Sequence, residues 1–451
     1  MSASVQLRRG LLRVYERARS KRALERLTEL EQTQWLPGEK LEALTLRRIR
    51  ALLSHAYQNV PHYRRTFDSL GFDPRGELKW DDFVALPTLN RVEVRALRSK
   101  LIARNPERGR LYLDSTSGST GNPLQFAHDQ RFSDYAAADH YRHYGWCGWE
   151  LCGPIAFLWG MGHPKGLEAV KVNVYRWLHN ALWGDAFTLR PETLDGFLDR
   201  MLEHRPQVLI GYASSLSALA LRARDRGIQV PSLRGIQSSA EMLLPAYREI
   251  VESAFGCRIF DSYGNKEVRD IAHECAEHRG YHISVENCWL EVVDEHGRPC
   301  PPGMPGELTV TSLHNYGMPL IRYRTGDIGM LSASSCACGR GLPLLQEVQG
   351  RLADALITAK GEPVHGWYFN PLFWSVPNVR QYQIVQRRRG DVLIRIVLDR
   401  GTVLADEDRR QIVAGVQDRL GAQIPVELEF PASIPPGPSG KFRIVQCEVA
   451  A

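Results

Sequence analysis

The run Ser115-Thr116-Ser117-Gly118-Ser119-Thr120-Gly121 places seven consecutive hydroxyl or glycine residues just before Asn122-Pro123. Glycines let a backbone turn tightly and approach a ligand with no Cβ in the way. Successive N–H groups in such a turn form a concave anion site. Five hydroxyls add further donors, so phosphate oxygens are the matching guest. The run is neither Gly-x-x-x-x-Gly-Lys-Ser/Thr nor Gly-x-Gly-x-x-Gly. A Ser/Gly linker has the same composition. This run, however, occurs once and compactly, between a strand-like Leu111-Tyr112-Leu113 and an amphipathic segment.

Four more groups carry chemistry. Tyr263-Gly264-Asn265-Lys266-Glu267 follows an apolar stretch and ends on a carboxylate, a hard oxygen ligand of the kind magnesium prefers. Tyr323-Arg324-Thr325-Gly326-Asp327 fixes an aspartate beside a tight turn, which suits a diol. Gly350-Arg351-Leu352-Ala353-Asp354 follows. Pro435-Pro436-Gly437-Pro438-Ser439-Gly440-Lys441 ends on a lysine in a flexible setting, a mobile charge for an anionic transition state. Separately, Cys275-x-x-His278 and Cys336-x-Cys338 could together clasp one tetrahedral structural zinc, with His282 the alternative to His278. No Gly-x-Ser-x-Gly elbow occurs, which disfavours a serine hydrolase.

The order of these motifs resembles the adenylate-forming enzymes, the acyl-CoA synthetase and adenylation superfamily. Within it the chain looks most like phenylacetate–CoA ligases and capsule-biosynthesis-type ligases. The resemblance spans nearly the whole chain. It implies a large N-terminal domain over residues 1–350 that binds ATP and the acid, a hinge at 351–354, and a small mobile C-terminal lid over 355–451. It implies that Thr116, Ser117, Gly118, Ser119, Thr120 and Gly121 cradle phosphates and that Tyr263 and Gly264 meet adenine. Glu267 would hold magnesium, Asp327 the ribose hydroxyls and Arg351 the nucleotide. Ala240-Glu241 is a weaker match to a segment lining the adenine and acid pockets. Lys441 would reach the acyl carboxylate and α-phosphate. Ala353 stands where a polar hinge residue is expected, which moves the pivot toward Asp354. The similar Cys pairs of capsule-type relatives favour a structural zinc.

The function implied is ATP-dependent activation of a carboxylic acid through an acyl-adenylate, with release of pyrophosphate. Acyl transfer follows, first choice to coenzyme A, with an aryl or arylacetic acid as substrate. An amine acceptor or a carrier-protein thiol is the alternative, and a non-catalytic nucleotide-binding relative is the reading of another class. Tyr141, Trp146, Trp159, His163 and Tyr212 are acid-pocket candidates by position, since aromatic density suits an aryl acid.

The elements that must position these groups follow from pattern. The chain has 451 residues, 43% hydrophobic and 24% charged, a globular profile too long for one ordinary domain. A net charge of +6 is weak at this length and argues for no nucleic-acid partner. Nine cysteines without framework spacing suggest a reducing cytoplasm. The basic, amphipathic Leu7–Val14 stretch reads first as a solvated helix packed on the domain, with a membrane-surface helix the alternative. No apolar run reaches the roughly 18 residues that span a bilayer, so no membrane partner is expected. A homodimer stays open. Residues up to about 100 read as helices, with Asn90 capping the last. Strands alternating with helices from 155 to 264 imply an α/β fold with a parallel sheet flanked by helices. Ser214 or Ser215 is expected to cap the helix near 215–226. From Tyr281 an antiparallel β subdomain is expected, and after 355 a small α+β unit.

Overall fold

The computed structural model describes residues 3–104, 111–116, 124–160, 166–351, 355–361, 363–365, 369, 371–374, 376, 378–399, 401–435 and 442–449. Helices fill the first hundred residues. Gly38–Asn59 turns Leu41, Ile49, Leu52, Leu53 and Ala56 inward at helical spacing, and all five are buried. Pro61 does more than end this pattern. It opens the next helix, Pro61–Leu70, where its missing N–H is not needed. Asn90 caps Arg91–Leu101: its Oδ1 accepts from Val92 N at 2.9 Å and Glu93 N at 3.0 Å. Glu93 returns the bond to Asn90 N, completing a capping box.

An eleven-stranded mixed sheet forms the centre. Ile155–Trp159 lies between Ala181–Asp185 and Val208–Gly211. Gly235–Ser239 and Arg258–Asn265 continue outward from Val208–Gly211, all parallel. The antiparallel strands expected from Tyr281 are no separate sheet. Arg258–Asn265 turns back into Arg269–Glu274, and the pairing runs on through Tyr281–Ile283, Leu344–Arg351, Tyr323–Leu331, Pro305–Ser312 and Cys288–Val293. Apolar stripes cover both faces of the parallel half. Leu194, Phe197 and Met201 of Pro191–His204 pack with Leu216 and Leu219 of Ala213–Asp225 on one side. Tyr135, Ala138 and Tyr141 of Gln130–Trp146 pack on Ile155, Ile210 and Phe260 on the other. No helix among the described residues is long and apolar enough to cross a membrane.

The C-terminal unit is a four-stranded sheet. The antiparallel hairpin Val379–Arg388 and Asp391–Leu398 is flanked by parallel Val445–Cys447 and Val426–Glu429. Helix Asp406–Leu420 seals it with Ile412, Val416 and Leu420, and its acidic first turn complements the helix dipole. Ala213, Leu244 and Tyr247 from the larger part pack into the same apolar cluster.

Arg322 ties the N-terminal helices to the sheet. Its guanidinium is 2% exposed. Nε and Nη2 donate to Glu291 at 3.2 and 2.9 Å, Nη2 also to Gly297 O, and Nη1 to the carbonyls of Val84 and Leu86. Burial pushes the Glu291 carboxyl upward while Arg322 opposes the shift. Removing one partner from such a pair strands a buried charge. Arg322→Met is expected to lower unfolding stability by about 3–5 kcal/mol, read from the urea midpoint at unchanged slope. A loss below about 1 kcal/mol would show that the pair is not the anchor.

Candidate active site

The carboxyl ends of the parallel strands open on one edge, where α/β sheets collect ligands. Trp159, Gly211, Ser239 and Tyr263 stand at or near four of these ends. Tyr112–Ser115, which leads into the hydroxyl run, pairs antiparallel with Gln125–His128. Thr116 extends this pairing. The Thr116 N–H donates to Leu124 O at 3.0 Å, and Leu124 N donates back to Thr116 Oγ1 at 2.9 Å. Ser117, Gly118, Ser119, Thr120 and Gly121 lie outside the described residues, as do His163, Ala353, Asp354 and Lys441.

Glu267 sits in the turn between Arg258–Asn265 and Arg269–Glu274 and is 4% exposed. Tyr323 OH donates to its Oε1 at 3.2 Å, and Arg91 Nη1 stands 3.8 Å away. Burial first, and then this carboxylate, push the Tyr323 hydroxyl well up. Arg91 Nη2 also donates to Thr116 Oγ1 at 2.7 Å, so one guanidinium joins the hydroxyl loop to the acidic turn. Lys266 Nζ donates to Ser115 O at 2.9 Å and Arg269 to Asp114 at 2.8 Å. Three cations thus line the base of the loop. Gly264 is required at this turn, because a Cβ there would lie 2.3 Å from Arg269 O.

Tyr263 OH donates to Asp327 Oδ2 at 2.8 Å. Asp327 N donates to Thr325 Oγ1 and Gly326 N to Glu307 Oε1, which holds a β-bulge within strand Tyr323–Leu331, with Gly326 at φ 79°, in place of the expected tight turn. Arg351 pairs with Asp327 across the antiparallel strands by backbone register. Its side chain is outside the described residues.

Ala240 adopts φ 68°, a left-handed conformation that costs a non-glycine residue about 1 kcal/mol and is retained where surroundings fix it. It presents Glu241. The Glu241 Oε2 accepts from Ser214 N at 2.9 Å, and Oε1 from Phe442 N at 2.6 Å. Helix Ala213–Asp225 therefore takes its N-terminal acceptor from Glu241, with Tyr212 at the cap position, and neither Ser214 nor Ser215 caps it. The same carboxylate fixes the backbone immediately after Lys441 at this edge.

The aromatic candidates divide. The Trp159 and Tyr212 rings meet at the strand ends, 4.3 Å between centroids and tilted by 40°, beside the Ala240-Glu241 segment. Tyr141 is 8% exposed, bonded through OH to His179 Nε2 at 2.7 Å and packed on Trp149, a core residue. Trp146 donates to Gln34 and lies under the guanidinium of Arg340.

Cys275, His282, Cys336 and Cys338 gather their ligand atoms within 4.8 Å of one another. Cys275 and Cys336 sulfurs are 3.6 Å apart, and Cys338 Sγ is 3.2 Å from His282 Nε2. His282 Nδ1 faces Leu342 O at 3.3 Å, leaving Nε2 turned to the thiols. Burial pushes the Cys275 thiol up to about 12. His278 is not part of this group. At φ 49° its ring turns to Glu274 at 3.1 Å and to Arg248. Cys-x-x-His spacing pointed to the wrong histidine, because strand Tyr281–Ile283 carries His282 to the thiols instead.

Arg91 and Lys266 were not singled out from sequence. One signal for Arg91 existed: an arginine in the first turn of a helix, where a cation opposes the dipole.

The fold resembles that of solved acyl-CoA ligases. A solved 2-hydroxyisobutyryl-CoA ligase in its postadenylation state superposes with TM-score 0.73 at 21% identity, over 93% of this chain and 91% of that one. By sequence the chain is related to a phenylacetate–coenzyme A ligase of Thermus thermophilus, 29% identical over 91% of this chain and 97% of the relative. It is also related to Protein CapK of Staphylococcus aureus, 24% identical over 79% and 78%. Residues 356–448 match the CapK C-terminal domain family.

Glu241→Ala removes an acceptor from both Ser214 N and Phe442 N. The expected loss is about 1–2 kcal/mol, measured as a lower denaturation midpoint. An unchanged midpoint would show that neither bond matters in solution.

Proposed function

We propose that the chain activates a carboxylic acid with MgATP and passes the acyl group to coenzyme A. The observation that carries this reading is one closed set of contacts. Arg91 joins Thr116 to Glu267, Tyr263 holds Asp327, and Glu241 holds Phe442, so motifs more than 300 residues apart share one edge. In the first half-reaction a carboxylate oxygen bonds to the α-phosphorus of ATP and the bond to pyrophosphate breaks. Arg91, Lys266 and Arg269 offset phosphate charge at the loop, and Asp327 accepts the ribose hydroxyls. Lys441, placed next to the Glu241-bound backbone, neutralises the carboxylate and α-phosphate as they meet. In the second half-reaction the coenzyme A sulfur bonds to the acyl carbon and AMP leaves.

The buried Glu267 carboxylate, beside the phosphate loop and bonded by Tyr323, suits a single hard-oxygen anchor for magnesium, which supplies charge neutralisation across the phosphates. Residues 1–350 act as the adenylating body and 355–451 as a lid turning about 351–354, which withdraws Lys441 and admits the thiol. The Trp159–Tyr212 aromatic pair at the strand ends suits an aryl or arylacetic acid. The Thermus relative's name supports the same class.

Acid-dependent ATP–pyrophosphate exchange over aryl, arylacetic, fatty and amino acids tests this. Exchange with an aryl or arylacetic acid is expected, and Lys441→Ala should lower it about 10²–10³-fold with ATP binding retained. Exchange with no acid, while ATP still binds, would overturn the ligase reading.

The four-residue Cys/His group fits zinc, held by Cys275, Cys336, Cys338 and His282. Zn–S bonds of about 2.3 Å set tetrahedral sulfurs roughly 3.8 Å apart, near the 3.6 Å found for Cys275 and Cys336. Its four protein ligands leave no open position, so the role is structural. The purified protein should contain one equivalent of zinc by mass spectrometry. His282→Ala should lose it and lower Tm by about 5 °C or more, while His278→Ala keeps it. Zinc lost from the His278 variant alone would reverse the ligand assignment.

A further inference from the structure

Two touching helices, Ala3–Ala18 and Gly166–Leu178, carry an unusual surface. Of eighteen large hydrophobic side chains exposed among the described residues, eight stand on Ala3–Ala18 and Gly166–Leu178. On the first helix Val5 and Leu12 turn inward, while Leu7, Leu11 and Val14, at i, i+4 and i+7, form a second stripe on the opposite side. Leu7 is 61% exposed and Val14 63%. On the second, Leu167, Val170, Val174 and Trp177 form a matching outward stripe. The Arg8 guanidinium, 4.5 Å above the Trp177 ring, joins the two.

The flanks are basic. Arg9, Arg13 and Arg17 share the first helix with Arg8; Arg19, Lys21 and Arg22 follow it; Lys171 and Arg176 lie on the second. The acids are spent within the fold. Glu16 is buried and accepts from Leu24 N, and Glu168 pairs with Lys171 at 2.6 Å. Apolar stripes with a tryptophan and a basic rim match helices that lie in a bilayer interface. Anionic headgroups attract such a rim. A second copy docked on this face would set arginines against arginines.

We propose that this face rests on the surface of a bilayer bearing anionic lipids. The full-length protein is sedimented with phosphatidylcholine vesicles and with vesicles that also contain phosphatidylglycerol. Binding is expected to the second only, and raised salt should release it. Val14→Glu with Val174→Glu, both at exposed positions, should weaken partition by at least about tenfold. Melting temperature and acid-dependent pyrophosphate exchange should not change, which separates this proposal from the enzymatic one. Equal binding to both vesicles, no binding to either, or full binding by the double variant would overturn it. So would a concentration-dependent dimer that the same substitutions dissolve, which would assign the face to a second copy.

Discussion

The buried Arg322 fork is the constraint on which the candidate site depends. A guanidinium removed from water must satisfy all its donors. Here two acceptors come from the helical region, the carbonyls of Val84 and Leu86, and two from the sheet side, the Glu291 carboxylate and the Gly297 carbonyl. The same chain segment is stitched by backbone as well: Leu89 N donates to Arg322 O, and Arg324 N to Leu89 O. Leu89 fixes Asn90, Asn90 caps the helix, and the helix start aims Arg91 at Thr116 and Glu267. The residues after Arg322 are Tyr323, which holds Glu267, and the bulge that presents Asp327. One buried cation thus sets both walls of the site.

The mixed sheet explains why these walls meet. Its parallel half leaves loops at carboxyl ends, where Trp159, Tyr212, Ala240 and Tyr263 collect. Its antiparallel half returns Tyr323 and Asp327 to the same edge. The seam between them is the turn carrying Glu267, which needs Gly264 because the returning strand passes too close for a Cβ. Glu241 connects this edge to the C-terminal unit through Phe442 N, while Leu244 and Tyr247 supply apolar contact. The Cys/His group lies at a different place in the antiparallel half. It joins the end of Arg269–Glu274 and strand Tyr281–Ile283 to the 332–343 segment, a loop-rich region otherwise held by few apolar residues.

Sequence pattern carried far where the signal was local. The N-terminal helices with their 3.6-residue apolar repeat and the Asn90 cap stand as expected. It failed where an acceptor or ligand came from elsewhere in the chain. Ser214 has the right type for a cap, yet Glu241 reaches its N–H from 27 residues away. His278 has the right spacing for a metal, but its backbone turns it toward Glu274 and Arg248. Tyr141 has the right position for a pocket, but the helix rotates it into the core beside His179.

The sequence by itself determined the chemical inventory: a hydroxyl and glycine loop, two acidic motifs, a late Ser-Gly-Lys, two cysteine pairs, and the order of strands and helices that carry them. These are properties of residue type and near spacing, which short-range backbone physics translates directly. Only the tertiary structure decided that Arg91 bridges Thr116 and Glu267, that His282 rather than His278 meets the thiols, and that Glu241 serves two distant N–H groups. The physical reason is that buried donors and acceptors must be satisfied by whatever the fold brings within about 3 Å, and that distance has no counterpart along the chain.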